Sequence, residues 1–341
     1  MKIIARLLLI LLLVLFVIAL TGWGSLALYF GDSQTSQLQT TLAVGFVLVG
    51  LLTLIGFLFQ RWRRRVLGIY ALLFTAVLAW WLSIEPSNDR QWTEDAARLP
   101  YASFDGNKVT MHNIRNFIYR SENDFTPTYY DKTYNLDELS SVDLFVVYWM
   151  GPAIAHTIVS FGFADKDYLA VSIEARKEQG EGYSTIKGFF RQYEQIHVVG
   201  DERDLIRLRT NFRHNPPEDV YRYRLQGSQE NARRFFLEYV QAINKATVEP
   251  TFYNTLTTNC TNVIWRYARV NENRVPYSWK ILASGYVPEY LYDAGRLDTS
   301  VPFAELTKRG YINPIAHQLG DVADFSQRIR NQTTITNKRH E

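Results

Sequence analysis

The sequence predicts an α+β domain, an antiparallel sheet with packed helices, standing behind three transmembrane helices. Three observations predict it. Charged residues make up 21% of the 341 positions and hydrophobic ones 47%, yet the first part of the chain is nearly free of charge. From about Gln91 onward, short runs alternate apolar and polar residues between Pro, Gly and Asn clusters, as strands do. Two later stretches carry an apolar stripe with helical period.

The membrane part consists of three apolar runs, at about residues 3–28, 38–59 and 66–84. Each approaches the roughly 20 residues that cross a hydrocarbon core of about 30 Å. The first run could instead be a cleaved signal peptide, with Lys2 and Arg6 as its basic start, but no clean small-x-small site follows it. A retained anchor is therefore expected. Lys2, Arg6 and the knot "QRWRRR" at residues 60–65 place the N-terminus and the second loop in the cytoplasm by the positive-inside rule. The loop at Gly31, Asp32, Ser33 and Gln34 has no positive charge. The third span then exits, and residues 87–324 form a domain outside the cytoplasm. A polar tail is expected over residues 325–341.

Within that domain, "LFVVYWM", "HTIVSFGF" and "YLAVSIEAR" read as strands, and "FADKD" as the turn of a hairpin between the last two. "QIHVVG" and "LIRLRT" (Leu205–Thr210) read as further strands. Ser228–Ala246 reads as an amphipathic helix capped by Ser228, with Phe235, Phe236, Tyr239, Val240 and Ile243 as its stripe. "CTNVIWRYARV" reads as a second helix.

That second helix begins at the chain's one cysteine, Cys260. A solitary thiol in an oxidising compartment has no internal disulfide partner and is open to oxidation. One reading is an inert buried cysteine, a common fate for this residue. Thr257, Thr258 and Asn259 point to another, because these are N-cap residue types. They set Cys260 in the first helical turn, where the helix dipole and free N–H groups lower a thiol pKa. The same N–H groups can hold an oxyanion. "NCT" also matches a glycosylation sequon, as does "NQT" at Asn331.

A thiol nucleophile needs a base and a residue that orients it. Of six histidines, His156 stands out. Strand alternation puts His156, Ile158 and Ser160 on one face, and Ser172, Glu174 and Arg176 on one face of the next strand. A hairpin between them sets His156 beside Glu174, which can then accept from the imidazole. A histidine hydrogen-bonded at a strand edge and a carboxylate paired with Arg176 are the plainer alternatives. No HExxH, Cys cluster or close His pair is present, so no metal is expected, and no P-loop or dinucleotide fingerprint implies a cofactor. A net charge of +3 without a recognisable module gives no reason to expect nucleic acid.

Several blocks in order resemble the Lnb N-terminal periplasmic domain family. They are "NIRNFIYRSENDFTPTYYDKTYNLDEL", "AHTIVSFGF", "YLAVSIEARKEQGEGYS", "FRQYEQIHVVGDERDLIRLRT" and "FYNTLTTNCTNVI". The resemblance covers roughly Val109–Tyr292. It implies a circularly permuted papain-like, NlpC-type domain, in which the His-bearing strand precedes the Cys-bearing helix. It implies a Cys260–His156 pair with Glu174 in third place, and marks Tyr253, Asn259, Thr261 and Arg176 as candidates for oxyanion or substrate positioning. Glu202 and Arg203 are motif positions too. The family's namesake moves a fatty acyl chain onto the amino-terminal cysteine of a lipoprotein. The implied setting is a bacterial inner membrane with the domain in the periplasm.

The expected activity is thus a thiol-dependent acyltransferase or hydrolase, with a lipoprotein or phospholipid as substrate and the lipid bilayer as surroundings. A cell-wall peptidase or amidase, and a non-catalytic membrane-anchored assembly module, are the competing functions.

Overall fold

A computed structural model of the chain describes residues 2–31 and 37–331. Residues 32–34 of the first loop, and the expected tail beyond Asn331, lie outside the described residues. The chain divides into two compact units.

The first unit holds helices α1 (Lys2–Phe30), α2 (Gln37–Gly56) and α3 (Arg63–Ser83). These three helices are long and apolar enough to cross a membrane. Their mutual packing uses a small residue and a buried hydroxyl pair, the devices that work where lipid removes the hydrophobic drive between helices. A side chain at Gly50 would collide with Thr21 Oγ1. Thr21 Oγ1 in turn lies 2.9 Å from the Tyr70 hydroxyl, which donates to the Val17 carbonyl at 3.2 Å.

The same unit includes Glu181–Glu194 and Phe252–Thr255. This corrects the expected division at residue 87, which assigned both segments to the soluble domain. The physical reason is Arg191. Its guanidinium donates to the carbonyls of Trp81, Leu82 and Ile84 at 3.2, 3.0 and 2.9 Å and lies 4.3 Å from the Trp81 ring centroid. A cation here satisfies the orphan carbonyls at the end of α3 and complements its dipole. Phe190 beside it stacks on Phe30 and meets Trp23.

The second unit is built on strands β1 (Tyr101–Asp105), β2 (Lys108–Arg115), β3 (Ile118–Tyr119), β4 (Phe125–Thr126), β5 (Tyr129–Asn135), β6 (Leu139–Tyr148), β7 (Ala155–Phe163), β8 (Asp167–Arg176), β9 (Glu194–Asp201) and β10 (Asp219–Arg224). The main sheet runs β1-β2-β9-β8-β7-β6-β10, with β5 beside β2. The β1–β2, β2–β5, β6–β7, β6–β10 and β7–β8 ladders are antiparallel, and β2 meets β9 through a parallel bridge, Arg115 to Gly200. The helices are α4 (Glu202–Arg207), α5 (Gln229–Val248), α6 (Cys260–Ala268), α7 (Trp279–Leu282), α8 (Val287–Asp293), α9 (Phe303–Gly310), α10 (Asn313–Leu319) and α11 (Phe325–Arg328). The fold is α+β, as expected.

Both faces of the central strands are covered. Val159, Phe161, Val171 and Ile173 pack against Phe235, Phe236, Tyr239 and Val240 of α5 and Val263 of α6. Ile158, Ala170, Ile196 and Val198 pack against Leu205 and Ile206 of α4, Ile312, Ile315 of α10 and Phe325 of α11. Every residue of β7 is therefore buried. Such double coverage excludes water from both ends of any charge pair built on β7.

Two expectations fail here. "LIRLRT" is not a strand: α4 leads into a π-type turn over Leu208–Phe212. Asp201 caps it, accepting from the Arg203 N–H at 3.1 Å, and Glu202 and Asp204 favour its N-terminal dipole. Residues 325–331 do not belong to a polar tail either. Phe325 and Ile329 are fully buried, and Arg330 pairs with Glu202 and Asp143 at 2.6 and 2.8 Å.

Candidate active site

The partnered rungs between β7 and β8 run from Phe163–Asp167 to Ile158–Ser172. Extending that register by two residues sets His156 opposite Glu174. The two side chains meet there, with His156 Nε2 3.1 Å from Glu174 Oε1. Ser172 lies between them, its Oγ 2.7 Å from His156 Nε2 and donating to Glu174 Oε1 at 2.6 Å. Arg209 completes the group, donating from Nη2 to Glu174 Oε1 at 2.9 Å and from Nη1 to Glu218 at 3.3 Å.

Cys260 is the first residue of α6, as its neighbours predicted. Asn259 is the N-cap, and its side-chain oxygen accepts from the Asn262 N–H at 2.9 Å. The sulfur is buried, hydrogen-bonded to the His156 ring, and approached by the hydroxyl and backbone N–H of Thr157. His156 shares its strand face with Ile158, which packs towards α4, whereas Cys260 packs with Val159 and Ile173 towards α5. The two meet because the rungs stop at Ile158. Beyond that point the Thr157 N–H donates to sulfur.

The electrostatics follow from this geometry. Burial alone would push the imidazole down, but the Glu174 charge and the Cys260 contact outweigh it and raise it to about 9. Burial alone would push the thiol up, but the His156 charge, its hydrogen bond and Thr157 hold it below its ordinary value. Burial would likewise raise the Glu174 carboxyl, yet His156 and Arg209 hold it well below the usual range. The arrangement favours a thiolate–imidazolium pair with a carboxylate behind it, the division of roles a nucleophile, base and orienting group require.

His197 provides the contrast. It is equally buried, its Nε2 3.0 Å from the Tyr267 hydroxyl, and no carboxylate faces it, so burial pushes it down to about 4. It is neutral at neutral pH and stays out of acid–base work. A depressed histidine supports folding above its unfolded pKa of 6.5, and that support is lost as pH falls through about 4. Thermal melts of the whole chain are therefore expected to lose up to roughly 3 kcal/mol between these limits, with His197→Phe flattening that slope. An unchanged slope would contradict the assignment.

The remaining expected residues lie as follows. Thr261 adjoins the thiol, and its hydroxyl bonds the Ile281 carbonyl at 2.8 Å and Asn259 at 3.0 Å. Asn259 acts as the cap. Arg176 is not at the thiol: it donates to the Ala96 and Ala97 carbonyls at 2.9 and 3.1 Å and lies 4.1 Å from the Trp92 ring centroid. It fastens the start of the soluble chain. Tyr253 belongs to the first unit, where its hydroxyl is 3.5 Å from that of Tyr183. Glu202 and Arg203 bond Arg330 and Asp321 and are structural. Thr157 and Arg209 were not foreseen. Ser172 was placed on the face of Glu174, and that was the available signal. Among the described residues, no His, Cys, Asp and Glu group could hold a metal ion.

Residues 125–285 match the sequence profile of the Lnb N-terminal periplasmic domain. Over these residues the chain is similar to the Lnb N-terminal periplasmic domain. The matched span contains His156, Ser172, Glu174, Arg209 and Cys260, so the whole cluster lies inside it. No curated protein and no solved structure matches the chain.

Proposed function

We propose that this is a membrane-anchored, cysteine-dependent acyltransferase or hydrolase acting on an ester or amide carbonyl. The observation that carries the proposal is the hydrogen-bonded Cys260–His156 pair, with its two pKa values displaced in opposite directions. Cys260 thiolate attacks the carbonyl carbon, forming a C–S bond. As the tetrahedral oxyanion collapses, the C–O or C–N bond breaks, and the leaving group takes the proton of His156. Water or an amine then attacks the thioester, returns a proton to His156 and releases the thiolate. Glu174 and Ser172 hold the ring, and the free N–H groups at the start of α6 face the oxyanion.

The order of a His-bearing strand before a Cys-bearing helix supports a permuted papain-like arrangement. The basic knot at residues 60–65 supports a cytoplasmic N-terminus and a periplasmic domain. Incubation of the whole chain with a diacyl lipoprotein peptide should add one acyl mass to Cys260, read by mass spectrometry, and Cys260→Ala should abolish it. Cleavage of muropeptides in place of acyl transfer would point to a cell-wall peptidase. Full turnover in Cys260→Ala would end the proposal.

A further inference from the structure

A cavity of about 590 Å³ opens where β6 ends, between residues 149–152, β10, the start of α8 and α9. That volume is in the range of small-molecule sites, roughly 300–1,000 Å³. Six aromatic side chains line it: Tyr148, Trp149, Tyr221, Tyr223, Tyr286 and Phe303. Tyr148 and Tyr221 stand nearly perpendicular, with ring centroids 5.6 Å apart and an interplanar angle of 87°, so they form the corner of a box. The backbone fixes that corner. The Gly285 carbonyl accepts from the Tyr148 hydroxyl at 2.6 Å, and the Gly285 N–H donates to the Ala153 carbonyl at 3.1 Å. A side chain at Gly285 would collide with the Pro152 carbonyl, so the approach requires glycine.

The charge of the lining has one sign. It carries Asp219 and Glu289 and, among the described residues, no Lys, Arg or His. Glu289 is paired with Lys280 at 2.9 Å. Asp219 has no ion-pair partner among the described residues, and accepts from the Tyr311 hydroxyl at 3.0 Å. The cavity therefore offers aromatic faces, which are electron-rich, and one uncompensated carboxylate, a set that attracts a cation. Its hydroxyls are partly taken: Tyr148 bonds Gly285, and Tyr223 lies 3.4 Å from the Thr307 hydroxyl. A cation with no hydrogen bond to donate gives up least water on entering such walls, and aromatic cages hold quaternary ammonium groups for that reason.

We propose that this cavity binds a quaternary ammonium ion, an organic cation with alkyl groups on its nitrogen. Tyr148 and Tyr221 supply the ring faces and Asp219 the counter-charge. Cys260, His156, Glu174 and Arg209 are not among its walls, so cation binding is independent of the thiol chemistry.

Saturation-transfer NMR on the whole chain, in a detergent without ammonium groups, compares choline with dimethylbutanol, its uncharged carbon isostere. Choline should bind with a Kd of about 1–10 mM, as suits so small a ligand. It should bind about tenfold more tightly than the alcohol, because rings and carboxylate act on its charge. Ethanolamine, whose ammonium donates hydrogen bonds, should bind more weakly than choline. Tyr221→Phe keeps the ring face and should leave the affinity unchanged, whereas Tyr221→Leu should weaken it about fivefold. Asp219→Asn, a surface exchange that disturbs no packing, should weaken it about threefold. Cys260→Ala should bind as the native chain does. Equal affinity for choline and the alcohol overturns the cation and leaves an apolar cavity. Tighter binding of ethanolamine overturns the quaternary assignment. Choline binding that survives both Tyr221→Leu and Asp219→Asn overturns the site, as does no transfer to choline at about 50 mM.

Discussion

Exchanging His156 for alanine should slow iodoacetamide labelling of Cys260 at pH 7 at least severalfold. The thiol's ordinary pKa is 9.0, and burial without the imidazolium pushes it higher. Two pH units below that value, about one molecule in a hundred is thiolate, and the thiolate is the species that reacts. In the native chain the ion pair persists from the lowered thiol pKa up to about 9, where the imidazolium loses its proton. Labelling at neutral pH should therefore be faster than in the His156→Ala chain, and it should stay fast above 9. Acyl turnover should instead fall above about 9, because the leaving group then finds no acid. The two apparent pKa values belong to the pair jointly. Glu174 keeps Arg209 and Ser172 as partners in the His156→Ala chain, so no buried charge is orphaned and the domain should remain folded. Equal labelling of the two chains at pH 7 would show that the ring does not activate the sulfur.

Arg330→Ala should cost the second unit about 3–5 kcal/mol, the loss that follows when a buried carboxylate is stripped of its cation. Glu202 is wholly buried and would keep the Ser160 hydroxyl at 2.5 Å as its described partner. Asp143 would keep Arg222 and Arg224. Most of the loss therefore arises at Glu202. Pairing Arg330→Met with Glu202→Gln should recover much of it, since neither charge is then left alone. Denaturant titration of both variants measures the difference. A loss below 1 kcal/mol for Arg330→Ala would mean that the end of the chain is not part of the core.

The helices and the hairpin were legible because their signals are local. Ser228 and Asn259 announce α5 and α6 through capping chemistry, and strand alternation in β7 and β8 was enough to set His156 against Glu174. What could not be read depends on packing across the chain. Alternation assigns His156 and Cys260 to different sides of the sheet, and only the end of the β7–β8 rungs brings them together. Arg209 escaped notice because "LIRLRT" has the look of a strand, although "GDERD" before it carries a helix cap that was available to be read. The end of the chain looked polar because Ser, Gln and Arg outnumber the apolar residues there. Phe325 and Ile329, four apart, were the pair that buries it. Arg176 resembled a site residue by motif, yet its partners are the backbone carbonyls of Ala96 and Ala97, which no local pattern announces.

The two units do not meet at one peptide bond. The chain passes between them after Asp89, Gly180, Glu194, Thr251 and Thr255. The last crossing precedes Cys260 by only a few residues. A module joined to its anchor by one linker can be grafted onto another anchor, or released by a single proteolytic nick. Neither holds here: cutting near residue 87 would leave 181–194 without the helices whose carbonyls and rings Arg191 and Phe190 bind, and 252–255 bonds to 181–194. Exchange of the membrane helices between relatives of this architecture therefore has to carry those two segments along, so that three stretches far apart in sequence are inherited together.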